Sequence, residues 1–322
     1  TRRTALGRKR NLSGQRKSLI YYFLFYLPAG FLGRFPVFVK LVRFLDFRLS
    51  PRGRFSKLLG QYQPAAVFST DVQNEHDVAL MQDARRYGIK IIGMVRSWDN
   101  LTTRMIRFIP DGLLVHNEII KNEAIRVQGI APLKISVVGI PHYDAYLKGP
   151  AQSRDAFLKS LGADPQKKTI LYIPVCDYRM RENSADRFML EILSGLEANV
   201  IVRFPPSETV NIAGFTKPSH MIFDQPGFKF SEHVVGDREL TREDGDRFLN
   251  EVAFSDITVC GPSTVVIDAA LFDKPIILVD LYPGELSEED KIYEYRAEHF
   301  MNILVTDGVR RARNREEFLT LL

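Results

Sequence analysis

The stretch GPSTVVIDAALFDKP, residues 261–275, concentrates residue types that can hold an anion. Gly261 and Pro262 form a turn after the apolar run DITVC, Ser263 stands where a helix N-cap belongs, and the helix behind it is apolar on nearly every side except at Asp268. A helix packed all round has no general need for an acid. Thr264 and Asp268 are four residues apart and share a face, and helical side chains tilt toward the N-terminus, so both lean back toward the turn. Free backbone N–H groups and the positive end of the helix dipole attract an anion there. The other reading is that Ser263 caps its own helix and Asp268 only complements the dipole, and the residues alone leave both open. Arg179, in ILYIPVCDYR, and Arg203, in IVRFPP, each follow an apolar run. Their forked guanidiniums suit a diphosphate, or equally a surface acid.

Two segments of the N-terminal half offer proton-transfer chemistry. STDVQNEHD (69–77) brings Asp71, Glu75, His76 and Asp77 into one turn. His76 with Asp77 is a candidate general base, since a carboxylate orients and charge-stabilises an imidazole; alternatively Asn74 or Asp71 caps the next helix and His76 is simply solvated. In SWDN (97–100), Asp99 is a second candidate base, and Trp98, the only tryptophan, can stack on a sugar face with Asn100 beside it. The alternative is an Asx turn with Trp98 packed between domains. His116 and His142 fall at strand ends and read as structural. There is no H-x-x-x-H or Cys–His cluster, so arginines and a helix N-terminus, rather than a metal, are expected to handle transition-state charge. The absence of a G-x-x-x-x-G-K-S/T loop, a strand-linked G-x-G-x-x-G and a G-x-S-x-G argues against ATPases, dehydrogenases and α/β-hydrolases. Cys176 and Cys260 stand too far apart in sequence to signal a zinc site or disulfide framework, which fits a reducing compartment.

These residues need a scaffold that delivers them at strand ends. At 322 residues the chain is long enough for two domains. From Gln63 onward, short apolar runs alternate with amphipathic stretches, the pattern of parallel α/β units. Residues 65–69, 89–95, 112–116 and 134–138 read as strands, with helices over 76–88, 101–109 and 117–129. GIPHYDAYLKGPAQS (139–153), with two prolines and two glycines, reads as a linker. A second series follows: strands at 169–174, 199–204, 220–224, 256–260, 275–280 and 302–306, and helices near 184–196 and 245–254, in the 261–275 stretch, and at the C-terminus. Residues 229–246 are polar enough to form a mobile loop. The expected domains are 61–150 and 151–322, with 1–60 a basic amphipathic helical segment attached to the first.

That leading segment holds 14 Lys/Arg against the single acid Asp46, while the rest of the chain holds 30 bases against 38 acids. Within it, SLIYYFLFYLPAGFLG (18–33) carries no charge, and RFPVFVKLVRFLDF then interrupts aromatic and aliphatic positions with Arg34, Lys40 and Arg43. The run is short for a membrane span and contains Pro28, and no A-x-A-like cleavage site follows. Lying in an anionic membrane surface suits the composition; docking on its own domain is the alternative, and nucleic acid is not the expected partner. The chain opens on Thr1, so further sequence is expected upstream.

The run GPSTVVIDAALFDKPIILV (261–279) resembles the C-terminal nucleotide-binding motif of GT-B fold transferases: a small-polar turn, an acid-Ala helix, a turn with Pro, then a strand. In that family the turn meets the donor's phosphates and the helix acid meets the ribose hydroxyls. The resemblance implies those roles for Gly261, Ser263 and Thr264, and for Asp268. Asp268 stands where the family more often has Glu, and Asp273-Lys274 where Gly-Lys or Gly-Arg is usual. VVGIPHYDAYL (137–147) resembles the linker of bacterial capsule and teichoic-acid transferases, including the CDP-glycerol glycerophosphotransferase-like group. ILYIPVCDYR (170–179) resembles their first C-domain strand and donor-contacting loop. IVRFPP (201–206) sits where that group carries Arg or Lys followed by His-Pro; Phe204-Pro205 stands here instead, so only Arg203 carries over. VRSWDNLTTR (95–104) resembles a loop of such surface-polysaccharide enzymes.

The implied fold is α/β and GT-B-like, two parallel-sheet Rossmann-like domains facing a cleft, with a basic aromatic helical N-terminal segment. The implied activity is transfer of a glycosyl group from a UDP- or CDP-linked donor to a surface-polysaccharide or lipid-linked acceptor, without a separate cofactor or metal. The implied location is cytoplasmic, peripheral at the inner face of the cell membrane. A CDP-polyol phosphotransferase, a nucleotide-sugar 2-epimerase and a noncatalytic scaffold binding membrane or partner proteins are the alternatives.

Overall fold

The computed structural model of the chain describes residues 31–230 and 238–322. It divides into two compact units, Thr1–Pro141 and His142–Leu322.

The first unit runs α1 (Pro36–Leu49), α2 (Ser56–Tyr62), β1 (Ala66–Ser69), α3 (Glu75–Arg86), β2 (Lys90–Met94), α4 (Asn100–Thr103), β3 (Gly112–Val115), α5 (Glu118–Arg126) and β4 (Ile135–Val137). Its strands pair in parallel in the order β1-β2-β3-β4, Val67 opposite Ile91 and Leu113 opposite Ile135. Burial alternates along them: Val67, Ile91 and Leu113 join Val78 and Met81 of α3 and Ile120 of α5 in one core, while Phe68 and Ile92 are exposed on the other face. The period-2 side-chain geometry of a strand produces that split.

The expected helix over 101–109 shrinks to the single turn of α4. Arg104 is already extended, and Gln128 takes the polar groups that a continuing helix would use. Its Nε2 donates to the carbonyls of Leu101 at 2.6 Å and Arg104 at 2.9 Å, and its Oε1 accepts from the Ile106 N–H at 2.9 Å.

The second unit runs α6 (Arg154–Ser160), β5 (Thr169–Ile173), α7 (Ala185–Ser194), β6 (Asn199–Arg203), β7 (Met221–Asp224), β8 (Phe228–Lys229), β9 (Arg238–Glu239), α8 (Arg242–Phe254), β10 (Ile257–Cys260), α9 (Val265–Leu271), β11 (Ile276–Val279), α10 (Glu298–Leu304), β12 (Arg310–Ala312) and α11 (Arg315–Leu321). Six strands form a parallel sheet in the order β12-β11-β10-β5-β6-β7. β5, β6 and β11 are buried at every position, as expected of strands covered on both faces. Counted in chain order this is the doubly wound Rossmann arrangement 3-2-1-4-5-6, and the winding reverses between β5 and β10. Both units are thus Rossmann-like and the α/β, GT-B-like class holds.

Three expectations change in this unit. Residues 302–306 do not form a strand: α10 covers 298–304, and the sixth strand is the charged segment Arg310–Ala312 at the sheet edge. The loop expected over 229–246 already contains β9 and the start of α8. A reciprocal cap sets that start, with the Asp244 N–H donating to Thr241 Oγ1 and the Thr241 N–H to Asp244 Oδ2; residues 231–237 lie outside the described residues. The linker 139–153 is not plain coil, because Pro141–Lys148 forms a 3-10 helix that buries Tyr146.

Candidate functional site

In a doubly wound sheet, ligands bind beyond the carboxyl ends of the strands where the winding reverses. Here that point is flanked by two turns, the one after β10 and the one after β5. They are packed together at Gly261: a Cβ there would sit 2.9 Å from Cγ2 of Val175, so only glycine lets the β5 turn pass this close. Arg179 completes the link by donating from Nη1 to the Pro262 carbonyl. Burial works against the Arg179 charge, but Glu294, 3.9 Å away, overrides it and holds the guanidinium above its ordinary pKa. Arg179 and the Gly261–Thr264 turn are therefore brought together.

The turn itself is more modest than an anion-gripping helix. α9 is only seven residues long, so its dipole is slight. The N-cap is Thr264, not the expected Ser263; Thr264 is exposed and its side chain makes no capping bond, while Ser263 Oγ accepts from the Val265 N–H at 3.4 Å. Arg179 is the cation that the structure brings to this turn.

Asp268 is 4% exposed. Its Oδ1 accepts from the Tyr146 hydroxyl at 2.5 Å. The 3-10 segment places His142, Tyr143 and Tyr146 ring against ring, and Tyr146 stacks on Phe272 at 5.4 Å between centroids. Burial raises the Asp268 carboxyl above its ordinary pKa, despite the Tyr146 hydrogen bond and the nearby His142. Burial, then the Asp268 charge, raises both tyrosines.

Arg203 is not presented on an open turn. It is buried at the end of β6, where its Nη1 donates to Asp224 and lies 3.4 Å from Glu251, and its Nη2 donates to the Asp244 carbonyl at 3.0 Å. Arg247 adds a second cation at 2.8 Å from Asp224. Even so, burial pushes the Glu251 carboxyl up to about 8, with Asp224 adding to the rise against the two arginines. Sequence neighbours gave no sign of this cage, because its acids come from β7 and α8.

Two further residues were missed. One is Tyr146, which reaches Asp268 from 122 positions away. The other is Asp186 in the first turn of α7, fully buried, which organises the β5 turn. Its carboxylate accepts from the Tyr172 hydroxyl at 2.6 Å, the Val175 N–H at 2.6 Å, the Cys176 N–H at 3.0 Å and Asn183 Nδ2 at 2.6 Å. Cys176 is held at φ 76°, ψ 149°, a region populated almost only by glycine, so the Asp186 clamp enforces a strained backbone three residues before Arg179. The acid ahead of an apolar helix in NSADRF is the only sequence signal for it.

In the first unit the two candidate loops are stitched side by side. Gln73 Nε2 donates to the carbonyls of Asn100 at 3.1 Å and Arg104 at 3.0 Å, and Arg96 lies 3.7 Å from Asp71. His76 is exposed in the first turn of α3; its N–H donates to Asn74 Oδ1 at 2.9 Å, so Asn74 is the cap. Asp77 accepts from the Ser69 hydroxyl at 3.0 Å. Asp99 begins α4, and its carbonyl accepts from the Thr102 and Thr103 hydroxyls. Asn100 Oδ1 accepts from the Ser97 N–H at 2.7 Å, and Trp98 is half-buried against the core of its own unit.

No protein-family model matches this chain, and no curated protein sequence does. Solved structures do match in fold. The UDP-GlcNAc 2-epimerase from Methanocaldococcus jannaschii is 16% identical over 83% of this chain and 71% of its own, with a TM-score of 0.53. MnaA of S. aureus, solved with UDP, is 12% identical over 88% of this chain and 69% of its own, at 0.50. The wall teichoic acid polymerase TagF is a looser match, 13% identical over 74% of this chain and 60% of its own, at 0.46. The first two likenesses reach the fold alone, which is GT-B-like.

Proposed function

We propose that the second unit binds a nucleotide-activated sugar and that the protein transfers its glycosyl group to a hydroxyl acceptor. One observation carries this reading: Arg179 and the Gly261–Thr264 turn meet where the winding of a Rossmann-type sheet reverses. In the proposed complex, Arg179 and the turn hold the diphosphate and Asp268 receives the ribose hydroxyls once Tyr146 gives way. The acceptor oxygen forms a bond to the anomeric carbon, the bond to the diphosphate oxygen breaks, and the nucleoside diphosphate leaves with that electron pair. The acceptor's proton passes to a base, for which we propose His76 or Asp99 of the first unit; Asp77 is held by Ser69, and Trp98 and Asn100 adjoin Asp99 in the chain.

A second reading, a nucleotide-sugar 2-epimerase, is favoured by the fold likeness to the Methanocaldococcus jannaschii structure. Product analysis with UDP-GlcNAc separates the two, because an epimerase alters the sugar without needing an acceptor.

The donor site is tested by thermal shift with UDP, CDP, UDP-GlcNAc and CDP-glycerol on the native chain and on Asp268→Ala and Arg179→Ala. A shift in the native protein that shrinks in both variants is expected. No shift with any of them at millimolar concentration would remove the donor site. We further propose that the enzyme works at an anionic membrane surface, near a lipid-linked or growing polysaccharide acceptor.

A further inference from the structure

We infer that the outward face of α1 is the surface that seats the protein on an anionic lipid bilayer. This rests on the membrane location proposed above and gives it a definite site. A helix of a globular unit ordinarily turns its apolar stripe to the core. α1 is apolar on both sides: Phe38, Val39, Val42 and Phe47 are half-buried, and a second apolar stripe is left outside. Its inward side is also pinned by charge: Arg43 donates to the carbonyls of Ile106 at 2.8 Å and Gln128 at 3.0 Å. Asp46 pairs with Arg107 at 2.8 Å and accepts from Gln82 at 3.0 Å. Phe47 joins them as an apolar anchor, ring to ring with Phe108 and under Arg86.

Val37, Leu41, Phe44 and Leu45, at the i, i+4, i+7, i+8 spacing of one stripe, face away and are 43–78% exposed. Phe31 and Phe35 extend the same exposed apolar surface at its N-terminal end.

The charge around the stripe identifies its occupant. Arg34, Lys40 and Arg48 are exposed on or beside α1, and Arg52, Arg54 and Lys57 follow it. Asp46, the single acid of residues 1–60, is consumed by Arg107, so no carboxylate on this segment opposes them. Apolar and aromatic side chains framed by bases are what the interface of an anionic bilayer accepts, with rings at headgroup depth and lysine and arginine at the phosphates. A protein partner would have to supply both an apolar groove and a ring of acids. Among the described residues no helix is long and apolar enough to cross a membrane.

The test is flotation of the full chain with vesicles of phosphatidylcholine alone or mixed with phosphatidylglycerol. Three proteins are compared: native, the triple variant Val37→Ser, Leu41→Ser, Phe44→Ser, and the double variant Lys40→Glu, Arg48→Glu. These side chains point outward, and unchanged melting confirms that the variants fold. The native protein should float with the anionic vesicles and not the neutral ones, and each variant should partition at least about tenfold less. A triple variant that floats like the native chain overturns the assignment to α1 while leaving the membrane location standing. A native chain that does not float overturns both. Loss of a native dimer in the triple variant, measured by sedimentation without vesicles, would show that the face joins two copies and would overturn the lipid assignment.

Discussion

Replacing Tyr146 by Phe removes one hydroxyl oxygen and leaves the ring stacked on Phe272. That oxygen is the donor to Asp268 Oδ1, at 2.5 Å, and Asp268 has almost no surface of its own. A ribose diol can reach the carboxylate only by taking the place of the phenol. Whatever the phenol contact is worth is therefore subtracted from nucleotide affinity. A hydrogen bond to a charged acceptor contributes about 1.5–3 kcal/mol net, and each ~1.4 kcal/mol is a factor of ten in Kd. Tyr146→Phe should then bind UDP or CDP about 10- to 100-fold more tightly than the native chain. The folded variant should also lose about 1–3 kcal/mol, because a buried acceptor is left without its donor. Calorimetric titration of both proteins at neutral pH, repeated with the 2′-deoxynucleotides, isolates the effect: the gain should shrink when the diol is incomplete. An unchanged or weaker Kd in Tyr146→Phe would refute the competition and make Tyr146 a support for Asp268 in the bound state. No binding to either protein would instead refute the donor site itself.

Three other outcomes follow from the same geometry. Arg179→Lys should weaken UDP by about tenfold while barely affecting uridine, since one ammonium cannot hold both the Pro262 carbonyl and a diphosphate as a fork can; titration of both ligands checks this. Gly261→Ala puts a methyl group 2.9 Å from Val175 Cγ2 and should cost about 1–3 kcal/mol in thermal or denaturant unfolding. Glu251 has a folded pKa of about 8, above its ordinary 4.5, so its stabilising contribution is full below that lower value and is lost as pH rises toward the upper one. Melting temperatures should show the native protein losing more stability than Glu251→Gln across that interval.

The parallel sheets were legible because five of the six strands in the parallel sheet of the second unit are apolar runs closed by Gly, Pro or a polar turn. β12 escaped notice for the converse reason: Arg310–Ala312 is an edge strand held by backbone pairing and by Arg311 on Asp280, and carries no apolar signature. NILVT reads as a strand by composition, yet α10 is continuous through Leu304 and ends there. The turn after β10 was legible because a strand, a small-polar turn and a helix occur in unbroken succession. The fate of its neighbours was not. Arg203 looks like a free cation in IVRFPP until the fold brings Asp224 and Glu251 against it, and Asp268 looks open in VVIDAAL until Tyr146 closes over it. Local patterns report which residues a segment offers, whereas burial and pairing are settled by elements far away in sequence.

The Asp186 clamp has a consequence for the thermodynamics of ligand capture. With four donors converging on one carboxylate and Cys176 fixed in a backbone region that few residues tolerate, the β5 turn has shed its conformational freedom during folding. In the proposed complex, a nucleotide arriving at Arg179 meets a surface with little left to order. Its association should carry a small entropic penalty, and the amide hydrogens of Val175 and Cys176 should exchange with solvent on the slow timescale of the core strands, not that of a loop.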